Sequence, residues 1–82
     1  MAVYKVRIKT EGNTTTYTTN ATTLATVTCH AETDKYSVTA PNNSVLADTA
    51  DEADKIARES ITDFFTSLGI VPEFINDHPS VG

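Results

Sequence analysis

The side chains of this sequence that could do chemistry are few, and their spacing sets most of them apart. Cys29 and His30 are adjacent, a nucleophile beside a base. Neighbours along a strand point to opposite faces, so two such residues on a strand cannot act on each other. Nothing near Cys29 in sequence would lower its thiol pKa, so a small core residue is expected there and an exposed imidazole at His30. One cysteine with His30 and His78 does not give a metal-site spacing. Asp48, Asp51, Glu52 and Asp54 could gather a divalent cation weakly, but helix capping already accounts for acids at these positions. The chain has no Gly-rich phosphate loop and no catalytic serine motif. The expectation is a non-enzymatic protein with no cofactor, no metal and no small-molecule substrate.

Charge gives the next constraint. The chain of 82 residues carries a net charge of −5, unevenly distributed. Lys5, Arg7 and Lys9 make residues 1–10 cationic, whereas residues 48–63 hold six acids against Lys55 and Arg58. An acidic chain is a poor default binder of nucleic acid, whose affinity comes mainly from neutralised phosphates. No apolar run approaches the ~20 residues of a membrane span, and the opening MAVYKVRIKT is not of signal-peptide type. A cytoplasmic or particle-associated protein, not exported by a cleaved signal, is the expectation. The Asn-x-Ser/Thr triplets at Asn13, Asn20 and Asn42 arise easily in so threonine-rich a chain.

The elements that would position these groups begin with a helix over residues 50–68. Thr49-Ala50-Asp51-Glu52 is a capping box. Ala50, Ala53, Ile56, Ala57, Ile61, Phe64 and Leu68 then recur on one helical face, with Phe65 at its edge. Gly69 follows as a left-handed cap with Ile70 placed for its hydrophobic contact, and Pro72 prevents continuation. Asp51 and Lys55, and Asp54 and Arg58, are ordered for ion pairs four residues apart.

Strands precede the helix. Tyr4, Val6 and Ile8 alternate with Lys5, Arg7 and Lys9, and Glu11-Gly12-Asn13 supplies a turn. A two-residue loop at Gly12-Asn13 would set Ile8 opposite Tyr17, and Lys9 and Arg7 opposite Thr16 and Thr18. In residues 13–30 nine of eighteen are threonine. As one strand the segment would run roughly 56 Å, twice the helix, so a break near Asn20-Ala21 is expected. Ala25, Val27, Cys29 and Ala31 then face one way. A return around Thr33-Asp34 would pair Cys29 with Val38 and Val27 with Ala40. Threonine is a good strand former at half-exposed positions, which explains the run more simply than an ice-binding hydroxyl array.

These elements make an α+β, two-layer domain over residues 1–70. It has an antiparallel sheet of three or four strands, one C-terminal helix packed on one face, and an extended arm at 71–82. The opening Tyr4-Lys5-Val6 with a turn at Gly12 is similar to the first strand of plant-type [2Fe–2S] ferredoxins. Those proteins need four cysteine ligands, and Cys29 stands alone, so no cluster or electron-transfer role follows.

Three surfaces are candidates for a partner. The first is the arm, with Val71, Phe74 and Ile75 beyond the helix. The second is the sheet face bearing Lys5, Arg7 and Lys9, which lacks an aromatic residue to stack bases. The third is the acidic helix face with Asp51, Asp54 and Glu59. Each has a plainer explanation: a tail that completes the core, a solvated sheet face, a solvated helix face. The leading functional expectation is an interaction or assembly module that binds a protein partner or itself. A small accessory subunit of a larger particle, such as a phage or viral shell, would suit the composition. The alternative is a small acidic inhibitor that docks its helix face on a basic host or nucleic-acid-binding site.

Overall fold

The computed structural model describes residues 2–20, 22–41 and 43–76. Its elements are β1 (Ala2–Glu11), β2 (Thr14–Thr19), β3 (Thr22–His30), β4 (Lys35–Thr39), β5 (Ser44–Ala47), α1 (Ala50–Ser67) and β6 (Ile70–Asn76). The domain is α+β in two layers, with α1 on one face of a single sheet ordered β5-β4-β3-β2-β1-β6. Two expectations are corrected. The sheet has six strands rather than three or four, and it is mixed, because β6 runs parallel to β1. The helix is followed by a strand of the same sheet, so Ile70–Asn76 is not an extended tail. Residues 77–82, including His78, lie outside the described residues.

The β1–β2 hairpin has the register its alternation dictates. Ile8 lies opposite Tyr17, Lys9 opposite Thr16 and Arg7 opposite Thr18. Gly12 takes φ 57° at the first loop position, where a type II′ turn needs a residue without a Cβ. The expected break falls between Thr19 and Thr22, with Asn20 at φ 48°. A bulge follows: Tyr17 faces Ala25 but Thr18 faces Thr23, leaving Leu24 as the extra residue. Leu24 packs against the core, so the bulge lets β3 send two consecutive apolar residues inward.

The β3–β4 pairing differs from expectation by two residues. Cys29 pairs with Tyr36 and Val27 with Val38. Asp34 adopts φ 56°, and the Thr33 N–H donates to the His30 carbonyl at 3.1 Å. The turn therefore spans residues 31–34 instead of closing tightly at 33–34. A shift of two keeps every side chain on its face, so the alternation could not distinguish the registers.

Helix α1 links the two edges of the sheet. The Thr49 hydroxyl accepts the Glu52 N–H at 3.1 Å. Gly69, at φ 74°, turns the chain straight into β6. The buried stripe is Ala53, Ala57, Ser60, Ile61 and Phe65. Ala50 and Leu68, expected on that stripe, are exposed, and Phe65 rather than Phe64 is its fully covered ring. Leu68 sits where the chain leaves the helix, which turns its side chain off the stripe. The stripe meets Val6, Ile8, Tyr17, Ala25, Val27, Val38 and Ala47. Val6, Val38 and Ile61 have no exposure at all, and each such burial contributes ~1.5–3 kcal/mol. Ser60, the one buried polar residue among those described, receives a hydrogen bond from Asn43 Nδ2 at 3.1 Å.

Strand β6 follows from its residues as well. Ile70, Val71 and Ile75 suit a strand, and Pro72 is tolerated because β6 is an edge. Pro72 lies opposite Tyr4, and in a parallel pair the odd-numbered β6 residues then carry the bonds to β1. The missing N–H thus falls on the outer side and removes no ladder bond.

Candidate functional site

Helix α1 occupies one face of the sheet, and among the described residues no element lies over the opposite face. The register places its residues in rows. One row runs Glu11, Thr14, Thr28, Ser37 and Leu46; the next runs Lys9, Thr16, Thr26, Thr39 and Ser44. On this face Thr14 lies opposite Thr28, Thr16 opposite Thr26 and Thr18 opposite Thr23, whereas Thr15 falls on the helix side opposite Val27.

The β1–β6 pairing changes the composition of this face. Val3 lies opposite Val71, Lys5 opposite Glu73 and Arg7 opposite Ile75. Val3 is 59% exposed and Val71 42%. Five of the residues singled out in the sequence thus converge on one surface: Lys5, Arg7, Lys9, Val71 and Ile75. Val3 and Glu73 join them unforeseen. The β1 alternation already puts Val3 on the face of Lys5, Arg7 and Lys9, whereas Glu73 is placed there only by its pairing with Lys5. The face is also less cationic than the β1 residues alone imply. Lys9 Nζ is 2.9 Å from Glu11 Oε1, Glu73 adjoins Lys5, and Lys35 forms an ion pair with Asp48. Hydrogen bonding to Asp48, then the charge of that carboxylate, raises the Lys35 pKa.

The remaining candidates are placed elsewhere. Phe74 points to the helix side, where the Arg58 guanidinium stands 5.1 Å from its ring centroid. Asp54 is not part of an outward acidic face. It accepts the Tyr17 hydroxyl, and Arg58 Nε lies 2.9 Å from its Oδ2. Burial first, then the hydrogen bond to Asp54, pushes the Tyr17 phenol well above its ordinary range. The chain Tyr17–Asp54–Arg58–Phe74 therefore ties β2, α1 and β6 together through half-buried polar groups. Asp51 and Glu59 remain exposed on α1.

Cys29 is half-buried on the helix side and His30 exposed on the open side, where its Nε2 is 3.0 Å from Ser37 Oγ. Cys29 lines a groove of about 510 Å³ with Tyr17, Tyr36, Asp51 and Asp54. A hydrogen bond with the Cys29 thiol raises the Tyr36 phenol. Among the described residues no group of His, Cys, Asp and Glu could hold a metal ion. Among the described residues no helix is long and apolar enough to cross a membrane. No protein-family model, curated protein or solved structure matches this chain.

Proposed function

We propose that this protein is a non-enzymatic interaction module that joins an assembly through the uncovered face of its sheet. A small accessory subunit of a larger particle, of the kind found on phage or viral shells, fits that role. The observation that carries the proposal is the strip on β1 and β6. Val3, Val71 and Ile75 are set among Lys5, Arg7 and Glu73 on a sheet face over which the described residues place no second layer. Apolar residues at the centre of a polar, charged rim are the usual anatomy of a protein interface. The alternative, an acidic inhibitor acting through α1, is less well supported, since Asp54 is engaged by Tyr17 and Arg58.

The test is affinity capture and native mass measurement of the wild-type chain beside a Val71→Ser/Ile75→Ser variant. Loss of self-association or of a captured protein, with unchanged thermal unfolding, supports the face. A wild-type chain that stays monomeric and retains no partner refutes it. Binding that survives the double substitution but weakens steeply with salt, and is lost in Asp51→Asn/Glu59→Gln, assigns the interaction to the helix instead.

A further inference from the structure

Strand β1 is longer than its neighbour. It begins at Ala2, yet its pairing with β2 stops at Arg7 and Thr18, because the chain turns away at Asn20. From Ala2 to Val6 the strand has β6 along one side. On the other side, among the described residues, no strand is paired with it. The result is a notch in the sheet, opening on a groove of about 560 Å³ lined by Val3, Tyr4, Lys5, Arg7, Thr18, Thr19 and Asn20.

The direction of the backbone groups follows from the hairpin. In a two-residue loop the flanking residues, Glu11 and Thr14, exchange both hydrogen bonds, and every second β1 residue repeats that orientation. Lys9 and Arg7 therefore bond to β2, while Lys5 and Val3 direct their N–H and C=O into the notch. Tyr4 and Val6 direct theirs to β6. Val3 at 59% and Tyr4 at 41% exposure supply apolar contact, one on each face of the strand. The charged side chains that line the groove are Lys5 and Arg7, both cations, with Glu73 opposite Lys5 on β6.

Other edges of the sheet are poor templates. The outer edge of β6 carries Pro72 with no N–H to give, and β5 is four residues long. Such features are how proteins keep edges from pairing. The β1 notch has neither.

We propose that the notch binds an extended acidic peptide segment of a partner protein, which adds to β1 as a short strand. Backbone bonds to Val3 and Lys5 give the affinity. A carboxylate on the open face, beside Lys5 and Arg7, gives the preference for acidic segments. The mode is strand addition to a sheet edge, with alternate side chains setting specificity. Five residues, Ala2 to Val6, accommodate a peptide of roughly 17 Å. This inference rests on the proposed role as an interaction module and names the chemistry of its partner.

The experiment titrates isotope-labelled protein with the capped pentapeptide Thr-Glu-Val-Glu-Thr and with its lysine counterpart, Thr-Lys-Val-Lys-Thr. The expected result is binding of the acidic peptide alone, with amide shifts larger at Val3 and Lys5 than at Tyr4 and Val6. N-methylation of the peptide at the amides that face β1 should weaken binding at least about fivefold, whereas methylation at the outward amides should not. Lys5→Glu should abolish the preference for the acidic peptide while the rest of the spectrum stays folded. Equal binding of the two peptides, or no shift at Val3 and Lys5 at millimolar peptide, overturns the proposal. So does concentration-dependent shifting of those amides without peptide, which would mean that a second copy fills the notch. If peptide binding fails while Val71→Ser/Ile75→Ser still disrupts assembly, the notch is wrong and the open face stands.

Discussion

The two faces of this sheet are built from the same strands, yet they use their residues in opposite ways. On the helix side, Tyr17 is 1% exposed, hydrogen-bonded to Asp54, and belongs to the buried cluster that also holds Ile8, Val27 and Ile61. Its neighbours Thr16 and Thr18 turn to the other face, where they meet Thr26 and Thr23 across the strand pair. One face is closed by a helix and by a polar chain from Tyr17 to Phe74. The other displays hydroxyls, paired charges and a strip of valine and isoleucine. The difference teaches that the energy of the fold is concentrated on the side that the helix covers.

That contrast can be broken most sharply at its centre. Ile61→Ala removes a residue with no exposure and should destabilise the domain by about 2–5 kcal/mol in chemical denaturation. A smaller loss would mean that the helix is not held on the sheet as described. Tyr17→Phe comes next. It takes the hydroxyl from a half-buried carboxylate and should cost about 1–3 kcal/mol near neutral pH.

The same variant carries a pH signature. The Tyr17 pKa is raised on folding above its ordinary value of 10.0, so the folded state favours the protonated phenol. The stabilisation is complete below pH 10 and is lost as pH rises through the folded pKa. Wild-type stability should therefore fall more steeply above pH 10 than that of Tyr17→Phe. Parallel curves would show that Tyr17 ionises equally in both states.

Two neighbours on β6 sharpen the comparison further. Phe74→Ala, on the helix side under Arg58, should lower stability by about 1–3 kcal/mol. Ile75→Ala, on the open side beside Arg7, should cost markedly less while weakening association. Equal costs would argue against β6 in this register. The smallest effect belongs to the threonine rows. Thr26→Ser should change stability by no more than about 0.5 kcal/mol, measured as a shift in the denaturation midpoint. A large loss there would show that the open face contributes to the fold after all.

Much of the architecture was legible. The helix and its Thr49 cap were written in a local motif, and the β1–β2 register in strict alternation about Gly12. The inward positions Ala25, Val27 and Cys29 of β3 and Tyr36 and Val38 of β4 were equally clear, but Ala31 falls in the exposed turn and the bulge adds Leu24. Their register was not legible, because a slip of two leaves the alternation intact. Strands β5 and β6 were not legible. Ser44–Ala47 is too short to show a period, and Pro72 in the middle of Ile70–Asn76 argues against a strand unless it lies on an edge. The candidate site was half visible: Lys5, Arg7 and Lys9 were found from their alternation, and Val71 and Ile75 from their place after the helix. That they share a surface was not visible.

Composition and short-range periodicity thus determined the α+β class, the capped amphipathic helix and which side of each central strand is buried, because those properties depend on residues a few positions apart. Only the tertiary structure decided that β6 lies beside β1, that Asp54 turns inward to Tyr17, and that β1 overhangs its partner to leave a notch. Those depend on pairings such as Ala2 with Ile70, made between the two ends of the chain. No local pattern encodes such a pairing; it is selected when the helix crosses the sheet and delivers the chain to the opposite edge.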